Sequence, residues 1–374
     1  MRVDTGPEVP VLHEISEFRN RLRAWLDVND LTPARDESLD GHVAQLLRVR
    51  RALFDADWMR YGWPARIGGL GGPAALRAVL GEEVATRDLA EPGIWSMIEV
   101  LAPTMISYAS PALAAQMVPP LLSGREQWCQ GFSEPGSGSD LASLSTTATP
   151  RGRDWVISGQ KVWTSLAQYA ARCVLLTRTG PGHDGITAFF VDMDTPGITV
   201  RPLRTMHGVD EFAEVFFDDV VVPDDRMLGT PGDGWRIAMD LLPHERSTCF
   251  WHRIAYLFTR LDRVLAQVDD QDDDALGAAY VALHTARCRS LGTQRRLAEG
   301  ARLGPETSID KVLLAGAEQQ LFDLARDLLP GAVELDDGPW RTEFLYSRAA
   351  TIYGGTAEIQ RNIIARRLLD LGKE

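Results

Sequence analysis

The sequence predicts an α+β protein, mostly α: an N-terminal helical domain, a small central β-barrel or sandwich, and a C-terminal helical bundle. Three observations predict it. Apolar residues recur at three-to-four spacing from Val11 to about Ser123. Short β-branched and aromatic runs bounded by turn residues replace that pattern from about Arg125 to Gly229. The helical spacing then returns and persists to the end. The boundaries implied are 1–124, 125–229 and 230–374, and 374 residues suffice for two or three domains.

In the first segment one stripe runs through Val11, Leu12, Ile15, Phe18, Leu22, Trp25 and Leu26. Others follow at Val43–Phe54, Leu76–Val84, Ile98–Met105 and Leu113–Leu121. Gly62 to Gly72, with one proline and five glycines, is a connector loop. In the second segment the runs around Val156, Val174, Phe189 and Phe216 are strands. In the third, one long helix is expected from Asp233 to Val268, kinked at Pro243. Asp269 to Asp274 reads as a solvated acidic turn, and Thr356 as the cap of a last helix.

Composition narrows the function. Hydrophobic content of 45% and charged content of 24% are those of a soluble globular protein. No run approaches the roughly 20 apolar residues of a membrane span, and Met1–Pro10 does not read as a secretory signal. Cys129, Cys173, Cys249 and Cys288 lack metal-ligand spacing and read as buried thiols of a reducing cytoplasm, so no metal is expected. A net charge of −13 argues against nucleic acid, while local arginines leave room for a small anionic ligand. Of 39 basic residues only Lys161, Lys311 and Lys373 are lysines, a bias that reads as GC-rich coding rather than chemistry.

The chemically informative stretch is Phe132-Ser133-Glu134-Pro135-Gly136-Ser137-Gly138-Ser139-Asp140. A loop this small and hydroxyl-rich exposes backbone N–H groups and admits a flat or anionic ligand; taken alone it is equally an ordinary helix-to-strand turn. Three further segments follow in order: Gln160-Lys161-Val162-Trp163-Thr164-Ser165, Phe216-Phe217-Asp218-Asp219-Val220-Val221-Val222-Pro223, and Tyr353-Gly354-Gly355-Thr356-Ala357-Glu358-Ile359-Gln360. Together with Glu134-Pro135-x-x-Gly138-Ser139-Asp140, they resemble the signatures of the flavin-dependent acyl-CoA dehydrogenases across most of the chain.

That resemblance implies FAD as cofactor, an acyl-CoA thioester as substrate, α,β-dehydrogenation as the reaction and an electron-transfer flavoprotein as acceptor. It implies flavin contacts from Gln130, Phe132, Ser133, Gly138, Ser139, Trp163, Thr164, Ser165, Thr356 and Glu358. Ser139, Arg246 and Gly355 are implied to bind substrate, the Gly355 N–H at the thioester carbonyl. Read alone, Trp163 is a core tryptophan and Ser165 a strand hydroxyl. Many members carry the base immediately before the Gly-Thr of the last motif, where this chain has Gly354. A second branch, acting on branched or bulky acyl groups, places it before an arginine on the long helix; Pro243-His244-Glu245-Arg246 fits, which makes Glu245 the candidate base. Taken alone, Glu245 is half of a surface ion pair, and His244 reads as helix surface.

The Arg-x-x-Phe-Gly and Gln-x-x-Gly-Gly-x-Gly segments by which homotetrameric members complete a neighbour's FAD site are missing. The chain is thereby similar to the heteromeric dehydrogenases of steroid side chains, and an α2β2 tetramer with a second, related chain is the expectation. Two alternatives stay open: a non-catalytic partner subunit, and an oxidase or monooxygenase on the same fold.

Overall fold

The computed structural model describes residues 8–33, 38–268, 273–335 and 338–372. Helices α1 (Glu8–Val28), α2 (Leu39–Asp55), α3 (Ala75–Thr86), α4 (Pro92–Trp95), α5 (Met97–Tyr108) and α6 (Pro111–Leu122) come first. Eight strands follow: β1 (Gln127–Gly131), β2 (Thr147–Arg151), β3 (Asp154–Ser165), β4 (Ala170–Arg178), β5 (Ile186–Asp192), β6 (Ile198–Leu203), β7 (Phe212–Pro223) and β8 (Met227–Leu228). The chain ends in α7 (Gly234–Glu245), α8 (Thr248–Leu265), α9 (Asp273–Ala298), α10 (Thr307–Leu328), α11 (Pro339–Ser347) and α12 (Ala357–Arg367). Among the described residues no helix is long and apolar enough to cross a membrane.

The strands form one hydrogen-bonded sheet in the order β6-β7-β3-β2-β4-β5-β8, with β1 parallel to β4. Apolar runs here are continuous because both faces of the central strands are covered. Val174 and Leu176 of β4 join the core of α1–α6, whereas Cys173 and Leu175 point to the other face. Neighbouring β5 divides the same way, Ala188 and Phe190 against Phe189 and Val191. The N-terminal helices and one sheet face therefore share a core, which also takes in Ile237, Ala238 and Leu241 of α7.

In α1, Phe18, Leu22 and Leu26 are buried, with Ile15 and Trp25 packed against them; the side chains of Val11 and Leu12 lie outside the described residues. The acidic turn expected at Asp269–Asp274 also falls largely outside them.

The long helix expected from Asp233 to Val268 is two helices, broken at Arg246 and Ser247 rather than at Pro243. Ser247 leaves helical geometry at φ −115°, ψ −97°, and Arg246 turns inward so that its Nε donates to the Gly354 carbonyl, 3.1 Å away. The break lets the chain change direction. Helix α7 packs on α5 and β5, and α8 leaves it to join α3 and α9. Helix α10 lies at the centre of the C-terminal bundle, against α8, α9, α11 and α12.

Two burial assignments are corrected. Cys288 is exposed on α9 and Cys249 only half-buried; Cys129 and Cys173 alone are fully buried. His244 is half-buried in the last turn of α7, where burial, aided by the Arg77 charge, pushes its pKa down to about 4.

Candidate active site

The candidate site residues named from the sequence collect into two clusters. The first joins the Phe132–Asp140 loop to the end of β3. Glu134 fastens it: the Lys161 ammonium (2.8 Å) and the Thr146 N–H (2.9 Å) donate to one carboxylate oxygen, and the Ser145 N–H (2.6 Å) and hydroxyl (2.7 Å) to the other. Lys161 also donates to the Phe132 carbonyl at 3.1 Å. The Val162 N–H donates to the Ser133 carbonyl at 2.9 Å, which ties the loop to β3 immediately ahead of Trp163. Burial alone would raise the Glu134 carboxyl, but Lys161 and these donors outweigh it and hold the pKa down to about 2. Burial of the ammonium brings Lys161 down to about 8 in spite of its partner.

So fixed, the loop and strand offer an unusual surface. The β3–β7 register slips between Lys161 and Thr164, and Trp163 takes φ +60°, a conformation rare for a bulky residue. The slip turns its indole outward, edge-on to Phe212, with 60% of the residue exposed. Trp163 is therefore not a core tryptophan. Beside it, Thr164 is buried with an unpartnered hydroxyl, and the Gln130 side-chain oxygen is likewise buried without a donor. The Ser165 hydroxyl has no protein partner among the described residues, Phe132 is buried, and Ser133 is half-buried. Gly138 and Ser139 are both exposed, and nothing lies within 4 Å of where a Gly138 side chain would begin. An exposed flat ring, orphaned polar atoms and an open glycine in one loop-and-strand region suit a flat, polar cofactor.

The second cluster surrounds Gly354. Glu245 is the last residue of α7, and a Cβ at Gly354 would lie 3.2 Å from its Oε1, so the carboxylate fills the space beside that glycine. Gly354 (φ +61°) and Gly355 (φ +90°) both occupy the left-handed region. A Cβ at Gly355 would meet the Gln360 amide nitrogen at 2.3 Å and Arg246 at 3.2 Å. Thr356 caps α12, its hydroxyl accepting from the Ile359 N–H at 3.3 Å, and Glu358 is exposed in the first turn. Glu245 is half-buried, and among the described residues nothing donates to its carboxylate. Burial raises its pKa, an effect only partly offset by Arg246 and Lys311.

No hydrogen bond or ion pair among the described residues joins the clusters directly, but a packed chain does. The Leu166 N–H donates to the Glu211 carbonyl at 2.7 Å. The Glu211 side chain lies 3.7 Å from His207, whose ring meets Tyr346 at 5.4 Å; Tyr346 meets Tyr353 at 6.1 Å, next to Gly354. Burial, with Glu91 nearby, pushes the Glu211 carboxyl up to about 8. Sequence reasoning missed this chain, and it missed Lys161 and Lys311 as site residues. The rarity of lysine is the signal that could have found them.

Comparison with known proteins gives a consistent result. The chain matches the acyl-CoA dehydrogenase N-terminal domain over residues 13–125, the middle domain over 129–220 and the C-terminal domain over 232–369. It is 38% identical to acyl-CoA dehydrogenase IpdE1 of Mycobacterium tuberculosis, over 97% of this chain and 99% of that one. Among solved structures, the ChsE4-ChsE5 complex from Mycobacterium tuberculosis is similar at 27% identity and TM-score 0.81, with both chains fully covered. The Tcur3481-Tcur3483 steroid ACAD is similar at 24% identity and TM-score 0.85, over 97% of this chain and 98% of that one, a likeness of fold alone.

Proposed function

This chain belongs to the acyl-CoA dehydrogenase family, and from that premise we propose that it dehydrogenates a bulky or branched acyl-CoA, such as one bearing a steroid side chain, with Glu245 as the base. Its cofactor is FAD. The observation that carries the reading is the placement of Glu245, an unpaired carboxylate of raised pKa lying against the glycine where many members carry their base.

In this reading Gln130, Phe132, Ser133, Trp163, Thr164 and Ser165 hold the flavin ring. Gly138, Ser139 and the capped start of α12, with Thr356 and Glu358, lie toward the phosphates. Bound FAD supplies the acceptor for the hydride that leaves Cβ. Glu245 takes the Cα proton, and its raised pKa brings it nearer that of a weak carbon acid. The Gly355 N–H, for which no acceptor is found among the described residues, faces the developing charge on the thioester oxygen. Arg246 holds the Gly354 carbonyl and so fixes the loop against which substrate lies. An electron-transfer flavoprotein takes the electrons onward.

The test is anaerobic mixing of the FAD-loaded protein with a panel of acyl-CoA esters. Wild type bleaches the flavin, and E245Q slows that bleaching by about 10²- to 10⁴-fold. Equal rates in the two proteins would remove Glu245 from the mechanism. We also infer a heteromeric assembly from the missing adenosine-side segments, in keeping with similarity to a complex of two named chains. Full flavin occupancy in a purified homotetramer overturns that inference.

A further inference from the structure

We propose that Lys311 is a positioning residue for the base, its ammonium standing across Gly354 from the Glu245 carboxyl and drawing it toward that glycine. The proposal rests on the reading of Glu245 as base.

Lys311 rises from α10, at the centre of the bundle, and is 1% exposed. Its Cε lies 3.9 Å from the point where a Gly354 side chain would begin, the same point that Glu245 Oε1 approaches to 3.2 Å. Two side chains from different helices thus converge on one glycine. The ammonium donates to the Ala350 carbonyl at 2.7 Å and lies 3.8 Å from the centre of the Tyr353 ring, with Phe250 at 5.7 Å. These contacts fix where the charge stands. Toward Glu245 it acts as a charge and not as a hydrogen-bond donor, which leaves the carboxylate oxygens free to take a proton.

The groups facing Glu245 are Arg246 beside it, Lys311 on α10, Cys249 on α8 and Tyr353 on the glycine loop; Glu99 of α5 faces Cys249, and Glu318 faces Lys311. Only Arg246 and Lys311 oppose the effect of burial on the carboxyl. Arg246 is committed to the Gly354 carbonyl. Composition supports the assignment as well. A chain that uses arginine almost everywhere keeps lysine at two buried positions, each beside a carboxylate of one of the two clusters.

The test is the pH dependence of anaerobic flavin reduction in the holoenzyme for wild type, K311M, K311Q, K311R and E245Q. Loss of the charge moves the acid limb up by about one pH unit in K311M and K311Q, and K311R restores it. A glutamine keeps a donor for the Ala350 carbonyl, so a merely structural tether predicts a wild-type limb in K311Q. That result overturns the proposal. A second readout needs neither flavin nor turnover: the pH at which the melting temperatures of each protein and its E245Q double variant diverge reports the Glu245 titration. An unchanged divergence pH in K311M overturns the proposal even if that variant loses FAD. Flavin reduction by E245Q at the wild-type rate instead removes the base itself, which separates the two failures.

Discussion

Glu134 and Glu245 are both enclosed glutamates in the working part of the molecule, and their surroundings are opposite. Glu134 receives four hydrogen bonds, one of them from a buried ammonium, and its pKa falls to about 2. Glu245 receives none among the described residues, and burial raises its pKa. A carboxylate whose lone pairs are all filled is a fastening and cannot accept a proton near neutral pH. One partly withdrawn from water and left without donors is poised to take one. In the proposed reading the cofactor side of the site is thus built for rigidity and the base side for reactivity.

Removing each carboxyl breaks the comparison most directly. The largest expected effect is on rate: E245Q loses about 10²- to 10⁴-fold in flavin reduction, read by stopped-flow absorbance. Its stability moves the other way. A carboxyl whose folded pKa is raised destabilises the protein once pH exceeds its unfolded value, so E245Q melts higher than wild type at neutral pH. E134Q does the reverse. Removing one partner of a buried pair costs about 3–5 kcal/mol, and denaturant unfolding should show it. Because the Glu134 pKa is depressed, its contribution is present above the unfolded value near 4.5 and is lost as pH falls toward about 2. Wild type and E134Q therefore converge in stability on acidification through that window. Equal signs for the two variants at neutral pH would dissolve the contrast.

The contrast also explains what was legible in the sequence. Strand and helix segments were readable because Val174, Phe189, Leu241 and their neighbours carry their burial in their periodicity. The proximity of Glu245 to Gly354 was reachable through the Gly354 substitution, since the motif shows where a carboxylate is missing. The helix break at Arg246–Ser247 was not, because Pro243 is the only breaker in the local sequence and the break coincides with a hydrogen bond to Gly354, more than a hundred residues away. The role of Lys161 was hidden in the same way. Its partner Glu134 lies 27 residues upstream, and only the sheet brings them together. His244 and Cys288 were misplaced for a related reason: the exposure of one position on a helix depends on which neighbours cover it.

G354A sharpens the base side with a smaller effect. The new methyl would stand 3.2 Å from Glu245 Oε1, tighter than ordinary contact, on a residue held at φ +61°. The carboxylate has no hydrogen bond to hold it and gives way by a few tenths of an ångström. A displacement of that size should slow flavin reduction by about tenfold, leaving FAD content unchanged. A loss of FAD without a loss of rate per bound flavin would place Gly354 in the cofactor cluster instead.

The smallest effect is expected where the clusters meet the last helix. Thr356 caps α12 through one hydroxyl bond to the Ile359 N–H, so T356A should cost about 1 kcal/mol in denaturant unfolding. The same helix end carries the proposed phosphate contact, so T356A should also weaken FAD retention on dilution while leaving the acid limb of flavin reduction in place. The two readouts fall on opposite sides of the contrast. Cofactor retention follows the rigid side, and the pH limb follows Glu245 and the charges around it. A T356A variant that shifts the limb would mean that the start of α12 also sets the charge at the base, and the division between fastening and reactive carboxylates would then have to be drawn around α12 rather than between the clusters.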